Sequence, residues 1–322
     1  MDSASYQPTP AHADSARSSA RRTRGWRSAT APKHAQSFKR NYWLFALPAV
    51  VVIAAVIVFP WLFTIYMAMM DWNLAGNSTF IGLDNFRALF RDSRFIDSIV
   101  TTLIFTILAV VVPIILGTAA ALAFHENFRG RGILRAIFIM PMMATPVAIS
   151  LVWTMMFHPQ LGVLNYLLTS VGLPPSTWVY SPRTVIPTLV MVEVWHWTPL
   201  VMLIVLGGLS NLPRDPYDAA AIDGAGYWRQ VRYLTLPLIW PFITIALIIR
   251  TIDALKTFDT IFVITGGGPG TASETMNMFL YAQAFSFLKL GYASAVVIIF
   301  FVIVIILSLL LLAVRQRSKW NA

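Results

Sequence analysis

The chain contains few of the residue types that carry out covalent or metal-assisted chemistry. It has no cysteine, so neither a disulfide framework nor a cysteine-based metal site can form. Its five histidines show no HExxH or other paired spacing; they are His12, His34, His125, His158 and His196. Because zinc sites draw several ligands from short, regular spacings, we expect no metal site and no zinc enzyme.

One chemically distinctive group lies inside an apolar run, in the sequence EVWHW. It places a carboxylate and an imidazole among tryptophans, at Glu193, Trp195, His196 and Trp197. Aromatic rings can stack on sugar rings, and adjacent polar groups can bond sugar hydroxyls. We interpret these four residues as candidate substrate or pathway residues. The alternative is a satisfied interhelical His–Glu contact, with the tryptophans as packing.

A second polar group lies in the run RTIDALKTFD, where charges of alternating sign are three residues apart. Its members are Arg250, Asp253, Lys256 and Asp259. A charge at bilayer depth costs about 2.5–3.5 kcal/mol on insertion scales, so each charge needs a partner or a function. Opposite charges at this spacing can pair on one helix. Two interpretations stay open: ion pairs that fix helix packing, or side chains that line a pathway and contact substrate hydroxyls.

The elements that must position both groups are membrane-spanning helices. Of the 322 residues, 57% are hydrophobic and only 12% are charged, and the apolar residues are gathered in blocks. Because about 20 apolar residues cross a bilayer, the sequence predicts an all-α polytopic membrane protein with six transmembrane helices. The predicted spans are about 44–70, 98–124, 137–157, 186–208, 237–262 and 291–314.

Basic residues are distributed unequally between the two sides of these spans. One side carries 17 Lys and Arg: eight in the first 40 residues and three each in 125–136, 209–236 and after 314. The other side carries five, namely Arg87, Arg91, Arg94, Arg183 and Lys289. The positive-inside rule therefore predicts that both termini and the 209–236 loop are cytoplasmic. We expect residues 1–43 to form a disordered basic cytoplasmic tail, so the net charge of +10 does not indicate nucleic-acid binding.

A polar, small-residue segment, DAAAIDGAGYW, occupies positions 218–228 of the 209–236 loop. Its pattern predicts two short helices joined at Gly224, where the chain can turn. Asp215 is placed to cap the first helix, with Pro216 at its first position. The second helix is predicted to run until Pro237 opens the fifth span. The alternative is a polar loop that merely contains good helix formers.

The longer stretch DAAAIDGAGYWRQVRYLTLP resembles the EAA motif of ATP-binding-cassette importer permeases. The matching positions are Asp218, Ala219, Ala220, Asp223, Gly224, Ala225, Leu236 and Pro237. Asp218 stands where that family usually has Glu, and Val231 where it commonly has Phe. EVWHWTPL at 193–200 and RTIDALKTFDTIFVITGGGPG at 250–270 are similar to the sugar-permease branch, which includes the maltose and glycerol-phosphate importers.

This resemblance implies a type I importer permease (MetI-like) fold over residues 44–322, with 209–236 as a coupling loop. The eight matching residues would contact a cytoplasmic ATPase dimer. The chain would form half of a carbohydrate pathway with a second permease subunit, in a heterodimer, in the bacterial inner membrane. An extracytoplasmic solute-binding protein would deliver the ligand, facing the loop at Gly266, Gly267, Gly268 and Pro269. ATP and Mg would bind to the partner ATPase, so no cofactor is expected in this chain.

The sequence itself agrees that the energy source is another subunit. It contains no G-x-x-x-x-G-K-[ST] motif, and GGGPGTAS lacks the lysine that this phosphate-binding loop requires. The alternative function is an ion-coupled secondary transporter of a small polar solute, which would usually show an internal repeat. A membrane-embedded enzyme would need an intramembrane Ser/His pair or a metal cluster. Neither pattern is found in the sequence.

Overall fold

The structure is a computed structural model that describes residues 45–72 and 78–317. The predicted basic tail, residues 1–43, lies outside the described residues. The chain divides into two units, Met1–Phe59 and Pro60–Ala322. In the first unit the described residues, 45–59, are helical and all their side chains are exposed. In the second unit the structure is also mainly helical, with one short hairpin.

We number the elements in chain order. The helices are α1 (Phe45–Ala68), α2 (Asp84–Leu89), α3 (Ser93–His125), α4 (Arg131–Ile139), α5 (Pro146–Met156), α6 (Val163–Ser170), α7 (Val185–Leu209), α8 (Asp215–Ile222), α9 (Tyr227–Leu255), α10 (Asp259–Ile264), α11 (Met276–Tyr281) and α12 (Leu290–Arg317). Strands β1 (Met70–Trp72) and β2 (Ser78–Phe80) form an antiparallel pair in which Met70 lies opposite Phe80.

Within the described residues, five helices are long and apolar enough to cross a membrane: α1, α3, α7, α9 and the Leu290–Ala313 part of α12. A sixth span is formed if the segments Arg131–Met143 and Pro146–Met156 count as one, although they meet at an angle of 98°. In the sequence, Pro141 and Pro146 predict an interruption of the third span, 137–157, and the structure has a sharp bend there. Ala144 and Thr145 adopt extended backbone angles between the two segments, and Pro146 follows them.

The predicted fifth span, 237–262, is wrong at both ends. Helix α9 begins at Tyr227 and runs through Pro237. A wide π turn over Val231–Thr235 comes just before this proline, and its changed hydrogen-bond register accommodates a residue that has no N–H. The helix then ends at Leu255, and α10 starts separately at Asp259. The last part of the coupling loop and the fifth span are thus one continuous helix.

Three helices form the centre of the second unit: α3 and α7 pack along each other, and α9 packs against both. One buried apolar cluster includes Phe105, Leu189, Val192 and Ile261, and another includes Ala121, Val201, Val205 and Ile239. A third cluster holds α2, the start of α3, α11 and α12 together through Leu89, Phe95, Phe279 and Val296. Glu193 on α7 and Arg250 on α9, two of the polar residues singled out in the sequence, belong to this centre.

Close contact between α3 and α7 depends on Gly117. A Cβ atom added there would lie 2.6 Å from Cβ of Val201 and 3.0 Å from the backbone nitrogen of Met202. We expect Gly117→Ala to lower the free energy of unfolding by about 1–3 kcal/mol, because one of the helices must move. Thermal unfolding of the purified protein in detergent measures the change.

Gly207→Ala is the matched control for this prediction. Gly207 is also helical, but a Cβ atom added there meets nothing within 4 Å. Alanine at this position should leave the midpoint of unfolding unchanged or raise it, because alanine favours helix over glycine. Equal midpoints for the two variants would show that the α3–α7 contact is looser than described.

Candidate functional site

The segment with the EAA-like sequence forms a helix, a tight turn and the start of α9. Helix α8 ends in a Schellman turn, in which the N–H of Ala225 donates to the carbonyl of Ala220 at 2.9 Å and that of Gly224 to Ala221 at 3.1 Å. Gly224 has φ +73°, a left-handed value that side chains with a Cβ rarely adopt. The predicted turn at Gly224 is present.

The predicted cap of helix α8 is wrong. Asp215 is the first residue inside the helix, Arg214 precedes it, and no side chain caps the helix end. Pro216 lies in the first turn, as expected, where its missing N–H costs no hydrogen bond. Asp215 and Asp218 still place negative charge in the first turn, where the helix dipole favours it.

The surface formed by this segment, residues 218–228, is largely open. The side chains of Asp218, Ala219 and Asp223 are exposed. Two large apolar side chains project beside them, since Ile222 is 88% exposed and Trp228 is 78% exposed. We call residues 218–228 the coupling surface. Of the other residues in the EAA-like pattern, Ala220, Ala225 and Leu236 are half-buried and Pro237 is exposed.

Two side-chain hydrogen bonds tie the coupling surface, and Tyr217 just before it, to α9. The hydroxyl of Tyr217 donates to Oγ1 of Thr235 at 3.1 Å, and Nε2 of Gln230 donates to the carbonyl of Ala225 at 2.8 Å. Helix α9 continues without a break to Leu255, so it connects the coupling surface to the polar group at its far end.

That polar group contains a buried ion pair between two helices. Nη2 of Arg250 in α9 lies 3.2 Å from Oε2 of Glu193 in α7, and the side chains are 0% and 2% exposed. Oγ1 of Thr260 donates to the other carboxylate oxygen of Glu193, also at 3.2 Å. The guanidinium lies 5.0 Å from the ring centre of Trp197, within cation–π range.

A backbone carbonyl of α3 completes this arrangement. Nη2 of Arg250 also donates to the carbonyl of Ala109 at 3.2 Å. That carbonyl has no intrahelical donor four residues on, because Pro113 stands there and has no N–H. Nε and Nη1 of Arg250 have no hydrogen-bond partner among the described residues. The arginine thus links α3, α7 and α9 while two of its nitrogens stay unsatisfied.

A cavity of 360 Å³ lies beside the ion pair. It is lined by Pro146, Glu193, Trp197, Arg250, Asp253, Lys256, Thr257, Phe258, Asp259 and Thr260. The two polar groups singled out in the sequence therefore meet at one place. Six of their eight residues line the cavity, and Trp195 and His196 do not.

Trp195 and His196 lie on other sides of α7. Trp195 is 45% exposed and makes an edge contact with Trp153, with ring centres 5.6 Å apart. His196 is buried beside Trp197, with ring centres 4.6 Å apart. The alternative His–Glu contact does not form among the described residues, because Glu193 pairs with Arg250 and Nε2 of His196 has no hydrogen-bond partner there.

Among the four charges of RTIDALKTFD, one pair forms as the i, i+3 spacing predicted. Nζ of Lys256 lies 3.6 Å from Oδ1 of Asp253, and both side chains are partly exposed. The expected partner of Arg250 on its own helix, Asp253, is replaced by Glu193. Sequence reasoning also missed Thr257, Phe258 and Thr260 as cavity residues, although all three lie in the 250–270 stretch singled out in the sequence.

The glycine-rich loop after α10 is fixed in shape. The N–H of Ser273 donates to the carbonyl of Gly267 at 3.1 Å, and its hydroxyl to that of Gly268 at 2.6 Å. Next to it, Glu274 accepts two hydrogen bonds of 2.7 Å from Arg94 at the start of α3. Gly266 and Gly267 both have positive φ. Hydrogen bonds thus hold the loop internally and, through Glu274, to the start of α3.

Within the described ranges there is no group of three or more His, Asp or Glu side chains that could hold a metal ion.

Comparison with known proteins identifies related sequences and a related fold. A family described as binding-protein-dependent transport system inner membrane component matches residues 113–320. The trehalose/maltose transport system permease protein MalF of Thermococcus litoralis is 35% identical over 77% of this chain and 83% of its own length. The sulfoquinovosyl glycerol transport system permease protein SmoG of Agrobacterium fabrum is 34% identical, over 79% and 83%.

A solved structure shares the fold. It is a chain in the crystal structure of a bacterial alginate ABC transporter in complex with an alginate pentasaccharide-bound periplasmic protein. The match has a TM-score of 0.77, 22% identity, and covers 89% of this chain and 99% of that chain. At this identity the likeness concerns the fold alone.

Proposed function

The chain belongs to the family of binding-protein-dependent transport system inner membrane components, and from this premise we propose how it works. It is a multi-pass membrane permease subunit of an ABC importer. In our proposal it forms half of the pathway for a carbohydrate, beside a second permease subunit. A separate ATPase dimer, which binds ATP and Mg²⁺, supplies the energy, and an extracytoplasmic binding protein delivers the ligand.

The coupling surface is the observation that carries this proposal. It combines exposed acids, small side chains and two projecting apolar side chains on a turn that only glycine forms easily. Such a shape suits a short helix that inserts into a cleft on another protein. Continuity with α9 supports the coupling role, because ATPase motion applied at residues 218–228 would be transmitted to Arg250 along one helix.

The orientation of the chain is part of the proposal. The unequal distribution of Lys and Arg in the sequence supports placing both termini and the coupling surface in the cytoplasm. The glycine-rich loop at Gly266–Pro269 would then face the binding protein. Its internal hydrogen bonds and the clamp to Arg94 would keep it in one shape for docking.

The choice of a carbohydrate rests on the relatives and on the cavity. Two relatives carry trehalose/maltose and sulfoquinovosyl glycerol in their names. The 360 Å³ cavity offers Trp197 and Phe258 as stacking surfaces next to hydrogen-bonding groups. This combination suits a polyhydroxylated ring.

Reconstitution tests the proposal against the ion-coupled alternative. Proteoliposomes would hold this chain, the second permease and the ATPase pair, with the binding protein and its carbohydrate outside and ATP inside. We expect the loaded binding protein to stimulate ATP hydrolysis, and uptake to persist when an ionophore removes all ion gradients. Uptake that continues with a hydrolysis-dead ATPase, and stops with the ionophore, would establish the alternative.

A further inference from the structure

The charges that line the 360 Å³ cavity do not balance. Two cations, Arg250 and Lys256, face three carboxylates, Glu193, Asp253 and Asp259. Arg250 is paired with Glu193, and Lys256 with Asp253. Each pair has a net charge of zero and contributes little to the electrostatic potential in the cavity. The carboxylate left over belongs to Asp259.

The carboxylate of Asp259 is available to interact with a ligand in the cavity. Within the part of the chain that the structure describes, its carboxylate forms no ion pair, and its side chain is exposed. Arg250 adds little positive potential for a ligand, because the carboxylate of Glu193 3.2 Å away neutralises its charge. Lys256 is held by Asp253 one helical turn before it. The accessible part of the cavity wall is therefore negative.

Aromatic rings accompany this negative wall. Trp197 and Phe258 both line the cavity, and the face of an aromatic ring carries partial negative charge. Rings next to a single carboxylate favour a neutral or cationic ring-shaped molecule, and they repel an anion.

We propose that Asp259 makes this cavity selective by charge: it admits neutral and amino sugars and rejects uronates, sulfonates and sugar phosphates. The proposal rests on the proposed function, in which the cavity belongs to the translocation pathway. Asp259 is the specificity-determining residue. The other four charges neutralise one another in the two ion pairs and therefore contribute little to the potential in the cavity.

The absence of cysteine allows a direct measurement of the cavity's charge. Thr257 lines the cavity two residues before Asp259, so Thr257→Cys places a single thiol there. The chain is studied in lipid nanodiscs with its partner subunits. Cationic and anionic methanethiosulfonate reagents of similar size are applied separately, and the mass of this chain reports each rate. The quantity measured is the ratio of the cationic to the anionic rate.

Thr177→Cys gives the reference ratio, because Thr177 is exposed in a loop segment without charged neighbours in sequence. We expect the ratio at Thr257→Cys to exceed this reference. It should fall about tenfold when Asp259→Asn is added, because a nearby negative charge raises the rate of the cationic reagent and lowers that of the anionic one. Asp84→Asn, which removes an exposed carboxylate paired with Arg87, should leave the ratio unchanged.

Three results would overturn the inference: a ratio at Thr257→Cys no higher than the reference, a ratio unaffected by Asp259→Asn, or no reaction with either reagent. The last would show that the cavity is closed to polar molecules. None of these results bears on ATP hydrolysis stimulated by the loaded binding protein, which tests the proposed function separately. A transporter with normal stimulation and the wrong ratio would contradict the charge selection alone.

Discussion

Glu193→Ala is expected to lower the free energy of unfolding by about 3–5 kcal/mol, among the largest effects of any single substitution in the chain. The change leaves the guanidinium of Arg250 buried without its ion-pair partner; the carbonyl of Ala109 and the ring of Trp197 stay in contact with it, and Asp253 supplies only a more distant negative charge. Nε and Nη1 already lack partners among the described residues, so little remains to offset the charge. Thermal unfolding in detergent measures the loss.

Two further variants separate the ion pair from a general effect of removing charge. Asp253→Ala breaks the partly exposed pair with Lys256 and should cost less than about 1 kcal/mol. Combining Glu193→Ala with Arg250→Met should recover much of the loss, because no unpaired charge is then buried. If Glu193→Ala were no more harmful than Asp253→Ala, the buried pair would not hold α7 and α9 together.

Gly224→Val is expected to reduce ATP hydrolysis stimulated by the binding protein about tenfold or more. A left-handed conformation costs a residue with a Cβ about 1–2 kcal/mol, and a β-branched side chain more, so the Schellman turn of α8 would open. The coupling surface would then lose its shape while the membrane helices stay intact. Hydrolysis by the reconstituted complex and co-purification of the ATPase measure the effect.

Gly226→Ala is the matched control for this prediction. Gly226 lies two residues further on and has φ −68°, which any residue adopts. A Cβ atom there, as at Gly224, meets nothing within 4 Å, so the two positions differ in backbone conformation and not in space. We expect normal stimulation from Gly226→Ala. Normal stimulation from Gly224→Val as well would mean that the turn does not determine coupling.

The membrane architecture could be read from the sequence because a bilayer demands long apolar blocks. The helix bounds within the coupling loop could not be predicted from the sequence. Pro237 normally marks the start of a helix, and the sequence gives no sign that a π turn at Val231–Thr235 lets α9 continue through it. Likewise Pro141 and Pro146 indicated an interruption of the third span, but not that its two halves would meet at 98°.

Part of the candidate site could likewise be predicted from the sequence, and part could not. Glu193 and Trp197 are four residues apart, so helical geometry places them on one face, and both line the cavity. Trp195, two residues after Glu193, falls on another face of the helix, as the spacing implied. His196, three residues after Glu193, was expected on the same face by spacing alone, yet it does not line the cavity. The partner of Arg250 was beyond prediction from local spacing, because Glu193 lies 57 positions away along the chain. Pro113 gave a usable signal, since it frees the carbonyl of Ala109 that Arg250 contacts.

The roles of individual residues at the coupling surface and in the cavity stay predictions. The structure gives their geometry, and the family gives the kind of complex in which they work. The geometry of this chain and the family's kind of complex are connected by one claim: residues 218–228 contact the ATPase from the cytoplasmic side.

Cross-linking from single cysteines tests that claim most directly. Ile222 on the coupling surface is 88% exposed, and Leu161, in the loop predicted to lie on the opposite side of the membrane, is 86% exposed. Each is replaced by cysteine in the otherwise cysteine-free chain and labelled with a thiol-reactive photo-cross-linker in the assembled complex. We predict an adduct with the ATPase subunit from Ile222→Cys and none from Leu161→Cys. An intact complex that gives no adduct from Ile222→Cys, or gives one from Leu161→Cys, would contradict both the orientation and the coupling role.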